Sequence, residues 1–451
     1  MLPKNQIPEE AFYILNTLNS AGFPSFLVGG CVRDLLLGKA PKDFDICTKA
    51  KPEEVKRHFP KVIDTGIKYG TVTVLLDRLK VEVTTFRKVI QYNGGARSGE
   101  IEFGQTAEED VQKRDFTING LLFDGENVVD YVGGLEDLDR KVIRAIEDPD
   151  KRFLEDGLRM IRGIRFVCQF GFAIEPVTLE AIRWNSSFIT KVSPERVRDE
   201  LVKILLSESP SKGFYLLHDT GLLGYILPEL ERCYQFNQHN PHHSRDVFGH
   251  IMSVVENSPP DLKIRLAALL HDIGKPLTFS LDGKGVGHFY GHHLKSYDLS
   301  LEVLTRLRFD NKTINNVSAL IKEHMNRLKF PKNSTLKRLI NRVGRWNIEA
   351  LLELQMADVK RPGKTDELED LKRLEKEIQS ILHEKEPMSA RDLAINGNDL
   401  RSLGIEPGIR MGKILSALTD MIIDKPELNT RVRLLEIVQD KYLGTKKGAA
   451  Q

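Results

Sequence analysis

The chain is short of several things, and each shortage narrows its class. Four cysteines (Cys31, Cys47, Cys168, Cys233) are scattered through 451 residues without metal-ligand spacing. That argues against a disulfide scaffold or a cysteine metal site and fits a reducing cytoplasm. No apolar run approaches the roughly 18–20 residues of a membrane span. The start, Met1-Leu2-Pro3-Lys4-Asn5, lacks a signal-peptide pattern. A cytoplasmic protein without a membrane partner is expected. Excess charge is missing too: the net charge is +2, so any nucleic-acid surface must be a local patch. There is no internal repeat. What is present is a hydrophobic content of 41%, ample for globular cores, and length for about two to four domains.

Phe26-Leu27-Val28 is short and apolar and reads as a buried strand. Gly29 and Gly30 follow, where bare backbone can approach a phosphate closely. The stretch to Leu37 reads as a helix ended by Gly38, and phosphates favour a helix N-terminus. Arg33 can add a two-pronged contact. Asp43-Phe44-Asp45 suits a strand carrying both carboxylates on one face. Carboxylates suit Mg²⁺, held together with substrate phosphates. Thr71–Leu76 and Val81–Phe86 are also strand-like, and Glu82 in the second is either a third acidic group near the metals or a salt-bridge partner. Residues 88–105 carry Gly94, Gly95, Gly99 and Gly104 and read as a hairpin or loop. After about residue 135 the patterns are overwhelmingly helical, so an α/β head followed by an α-helical body is the simplest organisation.

Asp148 to Phe170 reads as helical and contains Asp156, Arg159, Arg162 and Arg165. These lie three apart, so each neighbours the next on a helix surface. Cytosine and adenine both present an amino donor beside a ring-nitrogen acceptor, whereas guanine and uracil place a carbonyl and an N–H there. An aspartate acceptor beside an arginine donor therefore fits C and A. Unpaired buried groups cost about 1–3 kcal/mol each, so such a site discriminates strongly. An exposed salt-bridged ridge is the bland alternative.

Most of the twelve histidines lie between His218 and His324. His250 is followed by His271-Asp272-Ile273-Gly274-Lys275, then His288, His292, His293, His324 and, later, Asp358. A His-Asp pair between separated histidines on helical segments reads as a metal site. Imidazole suits transition metals and carboxylate suits harder ions.

The string from Phe26 to Asp45, with Lys113-Arg114-Asp115-Phe116-Thr117-Ile118-Asn119 and Glu155-Asp156-Gly157-Leu158-Arg159, resembles the class II tRNA nucleotidyltransferase (CCA-adding enzyme) and bacterial poly(A) polymerase family. The resemblance implies that Gly30, Arg33 and Arg114 hold the triphosphate. It implies that Asp43 and Asp45 are catalytic and hold the metals, with Mg²⁺ as the ion. Asp156 and Arg159 would select the base, and Arg162 and Arg165 fall on further nucleotide-binding positions. Arg87 is a candidate triphosphate contact. Asp115 and Asn119 either bond the ribose or order the turn. Lys113 replaces the first of two arginines usual in the family; lysine keeps the charge but loses the planar fork. The loop at 88–105 acts in the family as a lever between adding C and adding A, and this copy departs from the usual pattern. Ser193-Pro194-Glu195-Arg196-Val197-Arg198-Asp199-Glu200-Leu201 resembles the last core motif. Ser193 is its expected N-cap, Arg196 and Glu200 are expected to be mainly structural, and Arg198 is a candidate phosphate contact.

The histidine pattern looks like an HD-type phosphohydrolase domain. His250, His271, Asp272 and Asp358 match its four metal ligands, and His292 and His324 match the extra histidines of two-metal versions. The metal there is Mn, Ni, Fe, Zn or Mg²⁺, which the residues do not distinguish, and Lys275 would steady a phosphate. The implied fold is α+β: a nucleotidyltransferase head with a mixed sheet at 1–140, an all-α neck and body at 141–230, an all-α HD domain at 231–365 and a helical region at 366–451. The implied function is template-independent CCA addition to tRNA from CTP and ATP, with hydrolysis of phosphorylated RNA ends by the HD domain. A CC-only or A-only enzyme, a poly(A) polymerase, and a phosphohydrolase with an RNA-binding head stay open. So do oligomeric state, HD substrate and native metal. Residues 361–387 are charge-rich, and Arg431, Arg433, Lys441, Lys446 and Lys447 are basic enough to touch tRNA phosphates, or are simply solvated.

Overall fold

The computed structural model describes residues 2–77, 79–90, 101–239, 246–329, 331–360, 365–384 and 387–444. The chain divides into two compact units, Met1–Glu231 with Arg306–Arg308, and Arg232–Thr305 with Phe309–Gln451.

The first unit is built on a mixed sheet. Its strands are β1 (Ser25–Val28), β2 (Phe44–Thr48), β3 (Val62–Gly66), β4 (Thr71–Leu75), β5 (Lys80–Thr85), β8 (Leu122–Phe123) and β9 (Val128–Val129). They lie in the order β3-β4-β5-β2-β1-β8-β9. β2 and β5 are parallel, with Asp45 opposite Glu82; the other pairs are antiparallel. The alternation of Val81 and Val83 with Lys80 and Glu82 explains the strand: the valines are buried and the charged residues point away. Val28, Cys47, Phe86, Ala107, Val111 and Leu122 form a core beneath it. The strands β6 (Arg87–Ile90) and β7 (Ile101–Phe103) pair antiparallel, so the two ends of the 88–105 segment form a ladder. Its Gly94, Gly95 and Gly99 lie outside the described residues.

Helices then dominate, with one short parallel pair, β10 (Val142–Ile143) and β11 (Ala173–Ile174). The expected continuous helix over 148–170 is instead two helices, Pro149–Glu155 and Leu158–Phe170. The break falls at Asp156-Gly157. A Cβ on Gly157 would lie 3.0 Å from the Phe188 carbonyl oxygen, so a side chain there would press on that backbone. Pro194–Leu205 is a helix with Pro194 in its first turn, but the Ser193 side chain makes no capping bond.

The second unit is helical apart from a hairpin, β12 (Phe279–Leu281) with β13 (Gly287–Phe289). Helices Val247–Asn257, Leu262–Leu270, His292–Arg306, Asn311–Glu323 and Ile348–Val359 carry or border the histidine pattern. The apolar side chains on helix Leu262–Leu270 are buried nearly all round, as expected of a central helix. Thr365–His383 is helical, with Leu371, Leu374, Ile378 and Ile381 buried. A further apolar core gathers Leu400, Ile405, Ile414, Leu418, Ile422, Leu434 and Val438. Among the described residues no helix is long and apolar enough to cross a membrane. All four cysteines are buried, and none is in a disulfide.

Candidate functional site

Two polar centres stand out, one in each unit. In the first, β1 delivers the chain to Gly29, which has φ 78°, a backbone shape that favours glycine. A Cβ there would also lie 3.1 Å from Arg114 Nη1. Arg114 thus reaches the glycine turn directly. It is held from behind by Asp110, whose Oδ2 accepts from Arg114 Nε and Nη2 at 3.2 and 3.0 Å. Asp110 Oδ1 accepts from Arg87 Nε at 3.2 Å. Burial of Asp110 is complete and pushes its carboxyl up, but Arg114 and Arg87 outweigh this and hold it below the usual carboxylate range. Arg87, a candidate triphosphate contact, is therefore committed to Asp110.

Helix Gly30–Leu36 brings Arg33 into a nearly closed pocket. Its guanidinium sits 4.6 Å from the Phe170 ring centroid and 5.2 Å from that of Phe166. It bonds the Asp34 carboxylate at 2.7 Å and the Asn119 side-chain oxygen. Asn119 donates to Asp115 Oδ1 at 2.9 Å, and Arg162 donates to Asp115 Oδ2 at 2.7 Å. Arg33, Asn119, Asp115 and Arg162 form one continuous chain of bonds. Burial pushes the Asp115 carboxyl up, but Arg162, the Asn119 amide and Arg159 hold it well below its ordinary value.

Asp43 lies one residue before β2 rather than within it and is exposed, while Asp45 is half-buried. Burial raises the Asp45 carboxyl to about 6; Glu82 and Asp43 push the same way, and Arg114 opposes them. Asp45 and Glu82 are cross-strand neighbours on the interior strands β2 and β5, and Asp43 adds its charge to Asp45; carboxylate oxygens are donors that suit a hard divalent cation.

Asp156 and Arg159 flank the helix break and do not pair with each other. Asp156 Oδ2 accepts from Arg196 Nη2 at 2.6 Å, and its Oδ1 accepts from the Leu158 N–H at 3.2 Å. Arg159 donates to Glu155 at 2.8 Å and to the Lys113 carbonyl at 2.9 Å. Arg165 departs from the expected ridge: it is buried, bonds Glu200 and lies 4.0 Å over the Phe166 ring. Arg198 bonds Asp199 at 2.8 Å. Sequence reasoning missed Asp110, which the Asp110-to-Arg114 spacing of four could have revealed. It also underrated Arg196, which no local spacing connects to Asp156.

In the second unit, Asp272 lies at the middle of a ring of imidazoles. His250 Nε2 is 3.3 Å from Asp272 Oδ2 and 3.1 Å from Asp358 Oδ1. His271 Nε2 is 3.2 Å from Asp272 Oδ2. His292 and His324 Nε2 are 3.3 and 3.9 Å from Asp272 Oδ1. Two overlapping sets, His250-His271-Asp272 and Asp272-His292-His324, each have ligand atoms within 4.8 Å of one another.

The opposite edges of three rings explain their readiness. His271, His292 and His324 direct Nδ1 to the carbonyl oxygens of Ala268, Phe289 and Ile321 at 2.8, 2.8 and 2.7 Å. A carbonyl only accepts, so Nδ1 carries the proton and Nε2 is the atom each ring turns inward. His292 Nε2 is buried without a hydrogen-bond partner, and an orphan of that kind fits a metal. Burial pulls His324 down to about 3, with His271 adding to it, so that ring stays neutral. Burial also pulls on His250, but bonds to Asp272 and Asp358 raise it to about 8.

Lys275 Nζ lies 2.7 Å from Asp272 Oδ2, and Arg327 bonds Asp358; Arg327 carried no signal in the sequence. All these groups except the more deeply set His271 line a cavity of about 340 Å³ that also includes His288, Phe289 and Tyr290. His293 is outside that lining. In the tail, Arg431 and Arg433 are matched by Asp399 and Glu436, which diminishes their value as free phosphate contacts. Lys446, Lys447 and Arg361-Pro362-Gly363 lie outside the described residues.

Three family models match the chain: the Poly A polymerase head domain over residues 25–144, "Probable RNA and SrmB- binding site of polymerase A" over 171–234 and the HD domain over 242–359. A CCA-adding enzyme of Lactobacillus johnsonii is 45% identical over 48% of this chain and 56% of its own; that match spans about half the length of each protein. A CCA-adding enzyme of Ligilactobacillus salivarius is 34% identical over 95% of this chain and 96% of its own. The crystal structure of the Bacillus stearothermophilus CCA-adding enzyme in complex with CTP superposes with a TM-score of 0.69, at 26% identity, over 99% of this chain and all of that one. The head with its glycine turn and paired aspartates, the helical neck and the HD ligand ring thus coincide with a match that runs nearly end to end, and the chain belongs to the CCA-adding enzyme family.

Proposed function

We propose that this chain adds C, C and A to the 3′ end of tRNA from CTP and ATP, releasing pyrophosphate, and that its HD unit hydrolyses phosphate esters at RNA ends. The observation that carries the first activity is the bonded chain Arg33–Asn119–Asp115–Arg162. It ties the glycine turn to the helix beginning beside Asp156 and Arg159, so triphosphate and base are held by one rigid unit. In this reading the tRNA 3′-oxygen attacks the α-phosphorus, the bond to the β-phosphate bridge breaks, and pyrophosphate leaves in line. Gly30, Arg33 and Arg114 hold the triphosphate. Asp156 accepts from the amino group of C or A, and Arg159 donates to the ring nitrogen. Each carboxylate oxygen has a second lone pair beyond those its present bonds use. Arg162 and Arg165 orient this wall.

Asp43 and Asp45, with Glu82, would hold Mg²⁺. His250, His271, Asp272 and Asp358, with His292 and His324, would hold a divalent transition metal or Mg²⁺. Bound ions at these positions supply charge stabilisation at phosphorus and lower the pKa of the attacking hydroxyl or water. In the HD unit the cations Lys275 and Arg327 would neutralise phosphate as water attacks, the phosphorus–oxygen bond breaks, and the sugar oxygen leaves with a proton. The functional division would be head 1–140, neck 141–230, HD domain 231–365 and C-terminal region 366–451. Four buried cysteines, none in a disulfide, support a reducing, cytoplasmic setting.

The test is purified protein with tRNA lacking CCA and labelled CTP and ATP, singly and together. Addition of CCA and no more is expected. Long adenylate tails, or CC alone, would overturn the reading.

A further inference from the structure

The cavity above Asp272 has a wall that phosphate chemistry does not use. Hairpin β12–β13 ends in Phe289, and Tyr290 follows it. Tyr290 is 76% exposed, although it lines the same cavity as His250, Asp272 and Asp358. Its ring lies parallel to that of His288, 5.3 Å between centroids and 9° between planes. His288 is itself tethered, with Nε2 3.0 Å from Asp282 Oδ2. Asp282 Oδ1 also accepts from the backbone N–H of Lys284 and Val286 at 2.8 and 2.9 Å, which fixes the turn. The result is a two-ring stack, anchored at one end and open to solvent at the other.

An exposed, braced aromatic face at the mouth of a polar cavity fits a planar group. Free phosphate or a small aliphatic phosphoester would leave it unused. The cavity volume lies within the roughly 300–1,000 Å³ of small-molecule sites, so a nucleoside fits beside a phosphate. Unstacked terminal bases are commonly received on aromatic side chains, tolerantly of sequence, because every base has a π-face.

We propose that Tyr290, positioned by His288, is a base-stacking platform that lets the HD centre favour phosphate esters borne by a nucleoside over those without a base. The substrate assignment rests on the phosphohydrolase reading given above. The platform itself is a binding claim and can be tested apart from it.

The experiment uses the full chain loaded with Mn²⁺ and compares nucleoside 2′,3′-cyclic phosphates and 3′-monophosphates with glycerol 2-phosphate, which has no base. Tyr290→Ala is expected to raise KM for the nucleoside substrates about tenfold, with little change in kcat, in metal content or in glycerol phosphate hydrolysis. Tyr290→Trp and Tyr290→Phe should restore the KM. Equal effects on substrates with and without a base, or no effect on either, would overturn the proposal. If the wild type hydrolyses none of these compounds, the phosphohydrolase reading fails. The platform is then decided by calorimetric binding of adenosine 3′-monophosphate to the loaded protein. A Kd about tenfold weaker in Tyr290→Ala supports it, and equal affinities overturn it.

Discussion

Asp156 gives its carboxylate to Arg196 at 2.6 Å, forty residues along the chain, and leaves Arg159 to Glu155 and Lys113. The two residues read as one base-selecting pair are thus oriented from opposite sides. Arg196 fixes the acceptor, and the 113–115 turn fixes the donor. Arg196→Ala should release Asp156 to rotate. A charge-assisted bond contributes about 1.5–3 kcal/mol, so kcat/KM for CTP and ATP is expected to fall roughly 10–100-fold. Discrimination against UTP and GTP should narrow at the same time. Arg196→Lys should recover part of both, and single-nucleotide addition kinetics with all four triphosphates would show it.

Asp110 has no solvent exposure and serves two arginines. Asp110→Asn would leave Arg87 and Arg114 beside a neutral group, and breaking a buried pair from one side costs about 3–5 kcal/mol. The folded carboxyl titrates below its unfolded value, so its contribution is fully present above the ordinary carboxylate range. It is lost as pH falls through the folded value. The gap in urea midpoint between wild type and Asp110→Asn should therefore be widest near neutrality and close in acid. A gap independent of pH would contradict this origin.

The two centres draw on separate residues, so they should separate by mutation. Asp45→Asn is expected to abolish nucleotide addition while sparing metal-dependent phosphate release. His271→Ala or Asp272→Ala should do the reverse. Parallel assays of both activities on each variant decide the matter, with circular dichroism to confirm folding.

His292 Nε2 is buried and makes no hydrogen bond, with Asp272 Oδ1 3.3 Å away, an arrangement that suits a shared ion. His292→Ala should lower the bound transition metal, measured by elemental analysis after dialysis, from two equivalents towards one. His250→Ala should weaken the other position. An unchanged count of two for His292→Ala would mean that His292 does not hold the second ion.

Much of this was legible because the informative residues are local in sequence. The turn from Val28 to Arg33 and the His271-Asp272 pair each declare a chemistry within a few positions. The α+β organisation followed from strand-like alternation that gave way to helical patterns. What was not legible depended on packing. Asp156 is extended, with φ −152° and ψ 102°, and a helix expected to be continuous breaks there. Arg165 has the right spacing for an exposed ridge, but the Phe166 ring and Glu200 draw it inward. Tyr290 carried no signal in the sequence, because nothing nearby in the chain says that it lines the cavity of the histidine cluster.

Asp272 belongs to both ligand sets of the HD centre, one oxygen facing His250 and His271 and the other facing His292 and His324. This gives the centre a single point of failure. Substitution at Asp272 would remove both candidate positions in one event, whereas substitution at a single histidine would touch only one.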